Sequence, residues 1–226
     1  MMPGSLHRPT SPRCTVAPGA GATRRRARKG EGEKLHIEIL DAAEQLLIEN
    51  GSIDNVSMRA IAERVGVTPP SLYIHFADKE ALFFECCARR FAELQEAIVS
   101  VLADGSVLDR LWAVGEAYIG FGLRRGQQYE AMWAFRLPDD MDETELPLLP
   151  GYELLAIVSL LVTEGIANGE IRKDVDPQQS AIAMWGSVHG TTLILINGDA
   201  HPTPFPIDPA AVTEETLQMI RRGVRA

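Results

Sequence analysis

Apolar residues recur every three or four positions along most of this chain, the period of a helix that buries one stripe and shows the other to water. Ile37, Leu40, Ala43 and Leu47 predict a first helix over residues 33–49, ended by Asn50-Gly51. Ile61, Ala62 and Val65 mark a shorter one over 58–65, with Ser57 placed to cap it and Gly66 to stop it in a left-handed turn. After Thr68, Pro69 and Pro70 suit the first turn of a third. Phe83, Cys87, Phe91, Leu94, Ile98 and Val101 then carry a long stripe from Lys79 to about residue 103. Asp104-Gly105 breaks it, and Ser106 caps another helix that runs to about residue 125. Further helical patterns cover 127–137, 152–168, 178–197 and 213–222, the third of them opened by Asp176 and Pro177. The fold class expected is all-α.

The stretch 57–76, SMRAIAERVGVTPPSLYIHF, places two of these helices around one glycine. Ala62 is small enough for a close crossing, and Ile61, Val65, Val67 and Leu72 are spaced to meet inside it, with Arg59, Glu63 and Arg64 outside. A plain helical hairpin has this pattern too, but so does a helix-turn-helix. Thr68, Ser71, Tyr73 and His75 give the second helix a solvent side of hydrogen-bonding groups without strong charge, which suits phosphates and base edges in a major groove. There is no Lys or Arg between Pro69 and Phe76, so base contact rests on Thr68 and Ser71, with Pro69 or Pro70 near thymine methyls. Ser57, Arg59, Tyr73, His75 and Lys79 complete the DNA-binding set, mostly toward the backbone.

The run AIAERVGVTPPSLYIHFADKEALF resembles the DNA-binding domain of TetR-family regulators, whose recognition helix ends in L-Y-x-H/Y-F before a K-E/D-x-L helix start. Leu72, Tyr73, His75, Phe76, Lys79, Glu80 and Leu82 carry the likeness. AMWGSVHG, with Trp185, His189 and Gly190, is similar to a tryptophan, histidine, glycine signature in the C-terminal domain of one branch of that family. The resemblance implies a DNA-binding domain at 33–80 and a ligand-binding and dimerisation domain at 81–226. It also implies a homodimer built as a four-helix bundle, for which Gly186, His189, Gly190, Leu193, Leu217 and Ile220 are the interface candidates.

Charge is unevenly spread. The net of −9 hides a segment 1–30 with seven Lys/Arg and no Asp/Glu, against a net of −6 over 31–80 and −10 beyond. Residues 1–32, rich in Pro, Gly, Ala, Ser and Arg, read as a disordered basic arm. Arg24, Arg25, Arg26 and Arg28 lie just before the first helix and suit phosphate or minor-groove contact, although a solvated tail has the same composition. Three cysteines, Cys14, Cys86 and Cys87, offer no disulfide framework or metal spacing and fit a cytoplasmic location. An oxidant-sensing role for the adjacent pair needs a lowered thiol pKa, whereas a buried structural pair does not.

Trp112, Tyr118, Phe121, Met132, Trp133, Phe135, Met184 and Trp185 are the candidates for an effector pocket, although core packing uses the same residue types. Few charges interrupt their helices, so the effector expected is largely apolar. Residues 138–151, with three prolines and DDMDETE, read as an acidic loop. His189 has no His or Cys three or four residues away, and no nucleophile elbow, phosphate-cradling glycine loop or zinc-hydrolase motif occurs. No enzyme activity, cofactor or metal is therefore expected. The function expected is a sequence-specific transcriptional regulator, a repressor released by a small apolar effector, bound as a homodimer to a palindromic operator. The rivals are a helical enzyme or carrier with an incidental helix-turn-helix, and a regulator without an effector.

Overall fold

The computed structural model describes residues 31–133, 151–198 and 204–226. Among them lie α1 (Glu31–Asn50), α2 (Met58–Val65), α3 (Pro69–Leu72), α4 (Lys79–Val99), α5 (Val107–Arg125), α6 (Gln127–Ala131), α7 (Tyr152–Asn168), α8 (Pro177–Ile196) and α9 (Pro209–Val224). The extended backbone contributes one isolated bridge, between Ile171 and Arg225. The all-α expectation holds.

Local chemistry sets the helix ends. Ser57, Asp78, Ser106 and Asp176 each accept a backbone N–H of the turn they open, from Ala60, Ala81, Asp109 and Gln179 respectively. Gly66 closes α2 at φ 75°, and the Val67 amide reaches back to the Ala62 carbonyl at 2.9 Å.

Two apolar cores result. The first gathers Leu35, Ile39, Leu40, Ala43 and Leu47 of α1 with Val56, Ile61, Ala62, Leu72, Phe76 and the start of α4. The second gathers Leu94 and Ile98 of α4 with residues of α5 to α9. One helix therefore serves both: α4 gives Leu82, Phe83 and Cys86 to the first core and Leu94 and Ile98 to the second. In the second half, α5 packs against α4, α7, α8 and α9, and α7 and α8 lie along each other.

Several expectations need correcting. Ile37, expected on the buried stripe of α1, is 48% exposed, because α1 packs against both α2 and α4 and the arc it buries is centred on Ile39 and Ala43. Helix α4 stops at Val99 rather than near residue 103, leaving Val101 beyond its end and exposed. The regular part of the third helix is one turn, Pro69–Leu72. A tighter turn follows, with the His75 and Phe76 amides both bonded to the Leu72 carbonyl at 2.8 and 2.9 Å.

Candidate functional site

The helix-turn-helix presents a small, mostly uncharged face. Thr68, Pro69, Pro70 and Tyr73 are exposed, and Ser71 and His75 are half-buried. The Thr68 hydroxyl does not cap α3; it pairs with the Ser71 hydroxyl at 2.9 Å. Ile74, absent from the DNA-contact residues expected from sequence, is 82% exposed between Tyr73 and His75. Its signal is a β-branched residue falling between the positions that bury Leu72 and Phe76. Lys79 does not stand free, because its Nζ donates to the Ile53 carbonyl at 3.1 Å, which ties the start of α4 to the turn before α2. His75 lies 5.8 Å, centroid to centroid, from His36 of α1, which stacks on Phe76 and bonds Glu85 of α4.

The cations of this unit are occupied. Arg59 pairs with Glu63, Arg64 holds Glu49 through both nitrogens, and Lys34 lies 3.6 Å from Glu38. The hydrogen bond from Arg64 is the chief reason the Glu49 carboxyl titrates below its ordinary range. Arg24, Arg25, Arg26 and Arg28 fall outside the described residues.

The second site is a cavity of about 250 Å³ enclosed by α4, α5, α7, α8 and α9. Five of the pocket candidates line it: Trp112, Tyr118, Trp133, Met184 and Trp185. Phe121 does not; it is buried in the core away from the cavity. Met132 faces a narrow crevice with Glu44, Leu47 and Cys86 instead. Phe135 and the acidic stretch lie outside the described residues. Leu217 and Ile220, expected at a subunit interface, line the cavity, and Leu217 is too deeply buried to meet a second chain. His189 also turns inward, with its ring stacked on Trp185 and its Nδ1 bonded to Tyr118 and Tyr129. Leu193 is half-buried against the core, whereas Gly186 is exposed and Gly190 half-exposed, both with open space where a Cβ would stand. Phe91 and Ile98 of α4, one helical face, bring the connecting helix into the cavity wall.

Next to Phe91 on α4, about a quarter-turn round the helix, Arg90 makes a buried two-pronged ion pair to Glu44 of α1, with N–O distances of 2.6 and 2.5 Å. Glu93 takes a further Arg90 nitrogen and meets Arg125 at 2.8 Å, so charged groups tie α1, α4 and the end of α5 together. Bonding to Glu44 is the main reason the guanidinium holds its proton even more firmly than usual. The neighbouring Cys86 and Cys87 are free thiols pushed up to about 12 by burial, so both stay protonated and unreactive near neutral pH.

Family models match both halves. One described as bacterial regulatory proteins of the tetR family covers residues 39–86, and one described as a tetracyclin repressor-like C-terminal domain covers 111–220. The chain belongs to the TetR family.

Among relatives, this TetR-family chain is 23% identical to the fatty acid metabolism regulator protein of Bacillus subtilis, over 84% of this chain and 95% of that one. The fold is similar to that of the regulator FadR from Bacillus subtilis, solved with stearoyl-CoA: TM-score 0.68, 19% identity, covering 84% of this chain and all of the other. It is also similar to AibR, solved with isovaleryl coenzyme A and operator DNA: TM-score 0.63, 20% identity, covering 82% and 97%. No helix among the described residues of this TetR-family chain is long and apolar enough to cross a membrane.

Proposed function

We propose that the chain is a homodimeric, operator-binding repressor whose hold on DNA is released by an acyl-type effector in the cavity. The observation that carries this reading is the position of α4. Phe91 forms part of the cavity wall, and the residue beside it, Arg90, grips Glu44 on the helix that props the helix-turn-helix. An occupant that displaces Phe91 moves Arg90 with it, and so shifts α1 and the reading helices that pack on it. A ligand shifts the balance of two such states only by binding them with different affinity. Two recognition helices reading half-sites about one DNA turn apart are sensitive to a small change in their separation.

The relatives support the effector class, since both solved neighbours described above hold coenzyme A thioesters. The mostly apolar lining, with Ile98, Leu108, Leu111, Val158 and Met184 on its wall, suits an acyl chain. The dimer face is proposed on the outer sides of α7, α8 and α9, where Leu160, Ile182, Ile194 and Met219 are exposed around Gly186 and Gly190. On the DNA face, Thr68, Ser71 and the exposed Ile74 read base edges and thymine methyls. Because the cations of the described unit are occupied, the arginines of segment 1–30 supply most of the phosphate attraction.

Fluorescence anisotropy of the full chain on labelled DNA from upstream of its own gene, against a scrambled duplex, tests this. The expected result is preferential retention with an affinity that falls steeply as salt rises, and a shallower slope when residues 2–30 are deleted. Equal binding to both duplexes would remove the regulator reading.

A further inference from the structure

One end of the cavity is polar. Tyr118 of α5, Tyr129 of α6, and Trp185 and His189 of α8 form a hydrogen-bonded cluster there, with the Trp133 ring 4.6 Å from that of His189. Trp185 Nε1 donates to the Tyr118 oxygen at 3.1 Å, and the Tyr129 hydroxyl donates to the same oxygen at 2.9 Å. His189 Nδ1 stands 2.5 Å from the Tyr129 oxygen and 3.2 Å from that of Tyr118.

The protons of this cluster can be counted. A nitrogen and an oxygen 2.5 Å apart need a proton between them. If His189 supplies it, Tyr129 is left to donate to Tyr118, and the Tyr118 proton faces a nitrogen that already carries one. If Tyr129 supplies it, its one proton is spent, and Tyr118 can turn its own proton to the Tyr129 oxygen 2.9 Å away. Burial raises both phenols, Tyr118 to about 12, and lowers His189, so all three are neutral near pH 7 and offer no ionised acceptor. With the shared proton on His189 Nδ1, Tyr118 keeps a proton for which the cluster offers no acceptor.

Trp133 Nε1 is a second such donor. It is buried and makes no hydrogen bond of good geometry, although the ring lies beside Tyr129 and lowers that phenol's pKa. Both Tyr118 and Trp133 line the cavity. The lining cation, Arg221, is already paired with Asp109 at 3.1 Å, so an ionised acid would be buried against neutral donors alone.

We propose that Tyr118 and Trp133 together receive a carbonyl oxygen of the effector, which makes the cavity selective for neutral carbonyl compounds such as thioesters, esters or ketones over hydrocarbons and ionised acids. This rests on the effector reading above and adds the residues that recognise it. It also accounts for the tryptophan and histidine of the AMWGSVHG segment. Trp185 and His189 occupy the other hydrogen-bonding positions of the two tyrosines, and so orient Tyr118.

Calorimetric titration of the full chain with octanoyl-CoA and with S-octyl-coenzyme A, a thioether lacking only the carbonyl oxygen, tests the assignment. The thioester is expected to bind at least about tenfold more tightly. Tyr118→Phe should erase that gap. Trp133→Phe should narrow it in the same way, and it decides the matter if Tyr118→Phe does not fold. Equal binding of the two compounds by the unaltered chain overturns the carbonyl anchor and leaves the effector reading standing; binding of neither overturns both.

Discussion

The two halves of this chain solve opposite packing problems. Around the helix-turn-helix, Ile39, Ile61, Leu72, Leu82 and Phe83 are fully buried, the cations are matched by nearby carboxylates or a carbonyl, and function lies on what the outer face presents. In the helical half, five helices leave a space of about 250 Å³ between them, and one donor of the lining, Trp133 Nε1, has no hydrogen-bond partner among the described residues. A filled core holds a surface still for reading, whereas an unfilled one leaves energy to be gained by a guest. Helix α4 belongs to both, and the Glu44–Arg90 pair is the point where they meet.

Truncating a side chain in each half breaks the comparison most sharply. Leu72→Ala should cost about 4 kcal/mol, near the upper part of the range for a residue whose site cannot collapse. Met184→Ala, on the cavity wall, should cost about 2 kcal/mol, since its loss enlarges a space already present. It should also shift acyl-CoA preference toward longer chains. Urea denaturation of the two variants measures the difference, and equal losses would mean that the helical half is packed as tightly as the reading half.

A somewhat smaller effect is expected from the junction. Glu44→Gln leaves Arg90 buried with only Glu93 as an ionic partner and should cost about 3 kcal/mol. The more telling readout is coupling: operator affinity of this variant should respond much less to effector. An undiminished response would show that the signal travels by another route.

The smallest effect separates the halves by pH. Burial lowers the pKa of His189, so the unfolded chain binds a proton more readily than the folded one just below the ordinary histidine range. The stability this contributes is present above about pH 6.5 and is lost as pH falls toward the folded value. The urea midpoint should therefore drop between pH 7.5 and 5.5, and His189→Gln should flatten that drop. A variant as pH-sensitive as its parent would assign the effect to other groups.

How much of the molecule is legible in its sequence follows the range of the forces involved. Caps at Ser57, Asp78, Ser106 and Asp176 act within one turn, and the helix starts they set can be read directly. Ile37 departs from its expected burial because α1 is covered from two sides, and a single stripe does not describe such a helix. In α8, apolar residues lie all round, so the sequence does not say that His189 faces inward while Gly186 faces out. Phe121 and Met132 show the same limit, since the residue types that line a cavity are those that fill a core. The hydrogen bonds around Tyr118 and the unpartnered Nε1 of Trp133 depend on contacts between distant segments, which no local pattern records.

The central claim is that one helix joins cavity to DNA face, and titrating octanoyl-CoA into a preformed complex of the full chain with DNA from upstream of its own gene tests it most directly. The account predicts a loss of DNA anisotropy that tracks occupancy of the cavity, strongly reduced in Glu44→Gln. Full calorimetric occupancy with DNA binding unchanged would contradict it.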